Sequence, residues 1–292
     1  MITHRIKQFL LFLEKRRRFN IAIVIAYFVF IIAMHGPIVR LSVRIMNWIS
    51  FTKYNLAVAS IVVVLLVWMC YSFYRKMMAR KEERLVPLVF FLLTVFLIIL
   101  HSRIMFVMNI EIIHSFQYAV CALLLFPIWG RFGYAVFFST LFGAADEWYQ
   151  YLILRIDKPD YFDFNDITMD LFGAGIAMVW MLNAGMAPKP NSKNFRWWKS
   201  PVALSAGFII VSVLVMFHFS LLQVYGGDYE KKPLMVFNQA IAPESFWRSL
   251  PNSDITYHVM QPMEGTIVLS VLLGLYFMMD YLSFPNPLRK HT

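Results

Sequence analysis

The sequence predicts an all-α fold, a polytopic integral membrane helix bundle of about eight transmembrane helices, and three observations predict it. Hydrophobic residues make up 60% of the 292 and charged residues only 15%, with a mean hydropathy of +0.61. A soluble domain carries about 25% charge. Apolar runs long enough for the ~20 residues that a bilayer crossing needs recur along the chain. Basic residues gather in the short links between those runs, where Lys and Arg set orientation and meet anionic lipid. The net charge of +10 is therefore assigned to membrane surfaces, and no nucleic-acid partner is expected.

At the N-terminus, Ile2, Ile6, Phe9, Leu10 and Leu13 recur at helical spacing before Lys15-Arg16-Arg17-Arg18. This suits a helix lying on the membrane surface, with a disordered basic tail as the alternative. No A-x-A-like site follows the apolar run, so the segment reads as a retained first span and not a cleaved signal. That span covers 19–34 and ends at His35-Gly36-Pro37; Ile38, Leu41, Ile45 and Ile49 then trace the apolar face of an interfacial helix. The second span is 56–74. After the basic link 75–84 come 85–100, 110–129 and 134–154, then a polar link and a sixth span at 164–182. The seventh is 201–225, and a polar connection at 226–264 leads to the eighth at 266–284. Three regions result: 1–84 with a basic segment and two spans, a four-helix core at 85–182, and 183–292 with two spans and an extracytoplasmic loop at 226–264.

Of the 27 Lys and Arg, 18 fall on the side that holds both termini. The positive-inside bias makes that side cytoplasmic. Thirteen of the 17 Asp and Glu fall on the other side or in the outer ends of spans. Both cysteines, Cys70 and Cys121, lie inside predicted spans, so no disulfide framework is expected.

Glu147 lies about 10 Å below the outer end of the fifth span, and Asp170 about 9 Å into the sixth, at 1.5 Å per residue. His114 and Tyr118 lie about 6 and 12 Å into the fourth by the same rise. Glu147 and Gln150, Asp146 and Gln150, Asp166 and Asp170, and Glu111 and His114 are each spaced to share a helix face. A carboxylate at membrane depth is costly without a partner and is by default a functional candidate. Structural readings compete with this one. Asp163 or Asn165 suits an N-cap, and Asp166 suits a helix first turn. His114 alone fits a core histidine, Tyr118 an interfacial aromatic, and Arg155 a snorkelling residue or a carboxylate partner. Gly143, Gly173 and Gly175 suit close helix packing, and Asp280 is expected to reach the headgroup region. Glu147 has the weakest structural excuse, because a helix C-terminus disfavours an anion. Soluble-enzyme motifs such as G-x-S-x-G, H-E-x-x-H, the Walker loop and C-x-x-C are absent from the sequence.

His114-Ser-Phe-Gln-Tyr118, Asp146-Glu147-Trp-Tyr-Gln150 and Asp166-Ile-Thr-Met-Asp170-Leu-Phe-Gly173-Ala174 follow one another in three successive spans. In this order the chain resembles the VanZ-like membrane proteins, over about a third of its length, within 85–182. Glu111 stands where the family often has a lysine, and the link that carries Arg155 is longer than the family's. The resemblance implies a bacterial cytoplasmic (inner) membrane protein of the cell envelope, in a family named for teicoplanin resistance. It brings no defined reaction.

Three functions follow as expectations. In the first, an outer-leaflet site binds or modifies the head group of a lipid-linked envelope precursor or glycolipid. Glu147, Asp170 and His114 are its acid–base groups, and Asp146, Gln150, Asp166, Tyr118, Glu111 and Arg155 its binding groups. Whether it is an enzyme is open, and a divalent cation on Asp and Glu oxygens is an alternative arrangement. In the second, the protein is a scaffold for envelope proteins, binding through Tyr229, Phe246, Trp247 and Tyr257. In the third it is a proton-coupled transporter, for which no internal repeat is visible.

Overall fold

The structure is a computed structural model that describes residues 2–79, 85–105, 112–154, 162–189, 196–224, 233–237, 246–249 and 256–283. Its helices, in chain order, are α1 (Ile2–Lys15), α2 (Arg17–Ile49), α3 (Phe51–Ala79), α4 (Leu85–Met105), α5 (Ile112–Trp129), α6 (Phe132–Tyr149), α7 (Phe164–Asn183), α8 (Pro201–His218) and α9 (Pro262–Leu282). Six of them, α2, α3, α4, α5, α8 and α9, are long and apolar enough to cross a membrane. The chain is a multi-pass membrane protein. Of the three that fall short, α1, α6 and α7, the last two carry Asp146, Glu147, Asp166 and Asp170.

Packing explains why α7 tolerates that composition. It is the central helix, touching α3, α4, α5, α6 and α9, and 15 of its 20 residues are buried. No residue of α8 is buried, so α8 leaves a largely apolar surface open to its surroundings while α7 meets protein. The tightest seam is between α5 and α7. A Cβ at Gly173 would run into the Ser115 backbone, and Ser115 Oγ donates to the Met169 carbonyl at 2.9 Å. Gly175 lies against the Tyr276 ring in the same way. These glycines serve close helix approach, as small residues do in membrane bundles.

Several boundaries differ from the sequence reading. His35-Gly36-Pro37 does not end the first helix, and no separate interfacial helix follows it; α2 runs through as 33 residues with Pro37 inside. Proline removes one backbone donor, and transmembrane helices re-satisfy the freed carbonyl locally. At 1.5 Å per residue α2 is about 50 Å long, well beyond the ~30 Å apolar layer. The basic N-terminal segment is a helix and not a disordered tail, with Leu10 and Leu13 buried against the bundle. The third predicted span continues past residue 100 to Met105, which brings His101 into a helix.

Asp280 does not reach toward headgroups. It is buried, and it accepts the Phe132 and Gly133 N–H groups at 2.7 and 2.9 Å. It thereby satisfies two of the orphan donors at the start of α6. At this same end the Lys189 N–H donates to the Gly130 carbonyl, and Lys189 Nζ pairs with Glu14 at 2.6 Å. The opposite end gathers the starts of α5 and α7 with the ends of α4 and α6. Two short strand pairs lie in the connection beyond α8: β1 (Leu222–Gln223) runs parallel to β2 (Met235–Val236), and β3 (Arg248–Ser249) antiparallel to β4 (Thr256–Tyr257). Trp148 Nε1 and the Tyr151 hydroxyl donate to the Leu234 and Pro233 carbonyls, and the Phe162 N–H to Val236. The connection is thus laced to α6 and to the start of α7.

Candidate functional site

Each wall of the site is set by helix periodicity. On α7, Asp163 caps the N-terminus by accepting the Asn165 N–H at 2.8 Å. With that register fixed, Asp166 and Asp170 stack one turn apart on the face toward α5. His114, in the first turn of α5, meets both: its Nδ1 lies 3.3 Å from Asp170 Oδ1 and its Nε2 3.9 Å from Asp166 Oδ2. On α6, Gly143 leaves room for the Asp170 carboxyl, because a Cβ there would overlap it. One turn later the same helix brings Asp146 and Glu147 to the site, and Gln150 Nε2 donates to Glu147 Oε1 at 2.6 Å. From Gln150 the helix widens into a π-turn through Leu154, a distortion that recurs at functional sites. Tyr118 closes the floor, fully buried, with its hydroxyl 3.4 Å from the Phe142 carbonyl.

Sequence reasoning missed a fourth wall. His35 on α2 places Nδ1 3.9 Å from Asp146 Oδ2, and its ring lies 5.8 Å from that of His114. The signal was a histidine at the end of an apolar span. His101 was missed as well; it bonds Asn165 Oδ1 at 2.6 Å and meets Phe172 edge-on. It supports the start of α7 from the side of α4.

Asp146, Glu147 and Asp170 are each 1% exposed. Both oxygens of Asp146 and both of Asp170 accept no hydrogen bond of normal geometry from the described residues, and His114 Nδ1 likewise has none. A buried carboxylate is ordinarily hydrogen-bonded or neutralised, because desolvation of the anion costs several kcal/mol. Asp146 and Asp170 instead meet imidazoles, His35 at 3.9 Å and His114 at 3.3 Å, and keep acceptor capacity open. Such a set can bind a polar group or a cation, or exchange protons between neighbouring carboxyls. His114, Glu147 and Asp166 can each offer a ligand atom, all lying within 4.8 Å of one another.

Of the predicted site residues, the structure thus brings together His114, Tyr118, Asp146, Glu147, Gln150, Asp166 and Asp170. Asp163 is the cap, and Asp166 lies in the first turn of α7 with its carboxyl 3.9 Å from His114. Glu111 and Arg155 lie outside the described residues, as does Tyr229. Phe246 and Trp247 are exposed in the connection near α9, where the Phe246 ring stacks on His258 at 3.9 Å. No family model, curated protein or solved structure matches this chain.

Proposed function

We propose that the chain is a VanZ-like protein of the bacterial cytoplasmic membrane that binds or modifies the polar head group of a lipid-linked envelope precursor or glycolipid. In this reading α6 and α7 cross the membrane with the six apolar helices, making eight spans, and both termini are cytoplasmic. The His–carboxylate cluster then opens to the outer leaflet. The distribution of 18 of 27 basic residues opposite the cluster supports that orientation.

One observation carries the reading: four helices converge at one depth on Asp146 and Asp170, whose oxygens are buried and accept no hydrogen bond of normal geometry from the described residues. A purely structural cluster would spend those acceptors on helix contacts. Sugar hydroxyls and amide groups of a head group are donors that would fill them. Glu147 and Asp170 act as acid and base in this reading, with His114 between them as shuttle and Gln150 holding Glu147. The binding set of this reading also includes Glu111 and Arg155, which lie outside the described residues.

The test is complementation. In a strain lacking the gene, Glu147→Gln and Asp170→Asn, each expressed at the wild-type level, fail to restore envelope behaviour, read as teicoplanin susceptibility. Full complementation by both removes the reading. The scaffold alternative has its own observation in the exposed Phe246 and Trp247. It predicts that Phe246→Ala with Trp247→Ala loses function while both cluster variants keep it.

A further inference from the structure

We infer that the site holds a divalent transition-metal ion on His114 Nε2, Glu147 and Asp166, with Asp170 bracing His114 from its other ring nitrogen. The inference rests on the head-group reading, since it concerns the same cluster, and with the ion bound His114 and Glu147 act there as ligands in place of their acid–base roles. It stands on the two-sided environment of His114. A metal-bound imidazole almost always donates its second N–H to a carboxylate or carbonyl, which sets the tautomer and aims the lone pair. Here Nδ1 faces Asp170 Oδ1 at 3.3 Å while Nε2 faces Asp166 Oδ2 at 3.9 Å. Asp170 is on the side a bracing carboxylate takes, and Asp166 on the side a fellow ligand takes.

The ligand atoms of His114, Glu147 and Asp166 come from α5, α6 and α7 and lie within 4.8 Å of one another. Metal–ligand bonds of about 2.0–2.2 Å put neighbouring donors roughly 3–3.5 Å apart, so modest side-chain rotations would close the set. Charge points the same way. Four carboxylates face two imidazoles in a region where Asp146, Glu147 and Asp170 are all but fully buried. Even with both histidines protonated the cluster would be left with a net negative charge if all four acids ionise. A divalent ion neutralises Glu147 and Asp166 directly, leaves His114 neutral as a ligand, and lets His35 pair with Asp146 across 3.9 Å. The donor set, one imidazole with two carboxylates, suits zinc or manganese and not calcium, which takes oxygen alone. Three protein ligands leave a position open for an oxygen of the bound head group.

The full chain, purified in lipid nanodiscs and stripped with EDTA, would be titrated with Zn²⁺ alone and with Mn²⁺ alone, and bound metal measured by mass spectrometry. The wild type takes up a single ion per chain, Glu147→Gln with Asp166→Asn takes up none, Asp170→Asn binds about 10- to 100-fold more weakly, and Glu14→Gln is unchanged. X-ray absorption on the zinc-loaded wild type needs no variant to fold, and it shows an imidazole with oxygen ligands. Failure of the wild type to bind either ion, coordination without imidazole, or full uptake by the double variant overturns the assignment. If the wild type is ion-free yet Glu147→Gln and Asp170→Asn still fail complementation, the metal is rejected and the head-group reading stands. If the ion binds as described while both variants complement fully, the reverse holds.

Discussion

The two ends of the bundle handle buried carboxylates in opposite ways. At one end Asp280, 2% exposed, accepts two backbone N–H groups from the start of α6, and Glu14 pairs with Lys189 near the surface. At the other, Asp146 and Asp170 are as deeply buried, yet their oxygens accept no hydrogen bond of normal geometry from the described residues. Burial alone therefore does not separate a structural acid from a functional one. What separates them is whether the fold has spent the acceptors. Asp280 holds a helix start in place, whereas Asp146 and Asp170 are held in place by helices.

Substitutions can break this contrast. The largest effect is expected at the seam that aligns the site: Gly173→Leu forces a side chain into the Ser115 backbone and leaves no monodisperse protein on size exclusion. Next is Asp280→Ala, which strands two buried donors and costs about 1–3 kcal/mol of stability for each unsatisfied group, measured by denaturant unfolding in mixed micelles. Asp170→Asn should differ in kind. Its charge contact is to a side chain, His114 Nδ1 at 3.3 Å, and not to a helix start, so the change strands no backbone donor and costs less stability than Asp280→Ala, while complementation fails. If Asp170→Asn destabilises as Asp280→Ala does, the two ends are alike and the contrast is lost. Smallest is Glu14→Gln, where an exposed pair contributes about 0–1 kcal/mol; the unfolding midpoint should barely move.

Much of the helix inventory was legible because spanning helices announce themselves by length and apolarity. Asp163 was legible as a cap candidate because a cap is a local matter, two residues from the N–H it satisfies. The shared level of Glu147, Asp170 and His114 followed from helical rise alone. His35 was not legible, since Gly36-Pro37 after it reads as a stop in water, and the continuation through Pro37 depends on the surrounding bundle. Asp280 was misread for a related reason. Its partners are more than a hundred residues away in sequence, and no periodicity points to them. The reach of His101 to Asn165 was hidden by a span boundary set five residues too early.

The central position of α7 also bears on how the protein is made. A segment with Asp166 and Asp170 enters lipid on its own at a cost of up to about 2.5–3.5 kcal/mol per aspartate, and α6 ahead of it carries two acids of its own. In the eight-span reading, neither leaves the insertion machinery cheaply as a lone helix. The strongly apolar α4 and the moderately apolar α5 are synthesised first, and α5 offers the His114 face and the Ser115 seam that α7 docks on. The order of the chain thus supplies a receiving groove before the polar helices emerge. A variant that keeps α7 out of this groove, such as Gly173→Leu, should stall biogenesis: α7 would stay accessible to water-soluble labelling reagents in a translation–insertion assay, even where α4 and α5 have integrated normally.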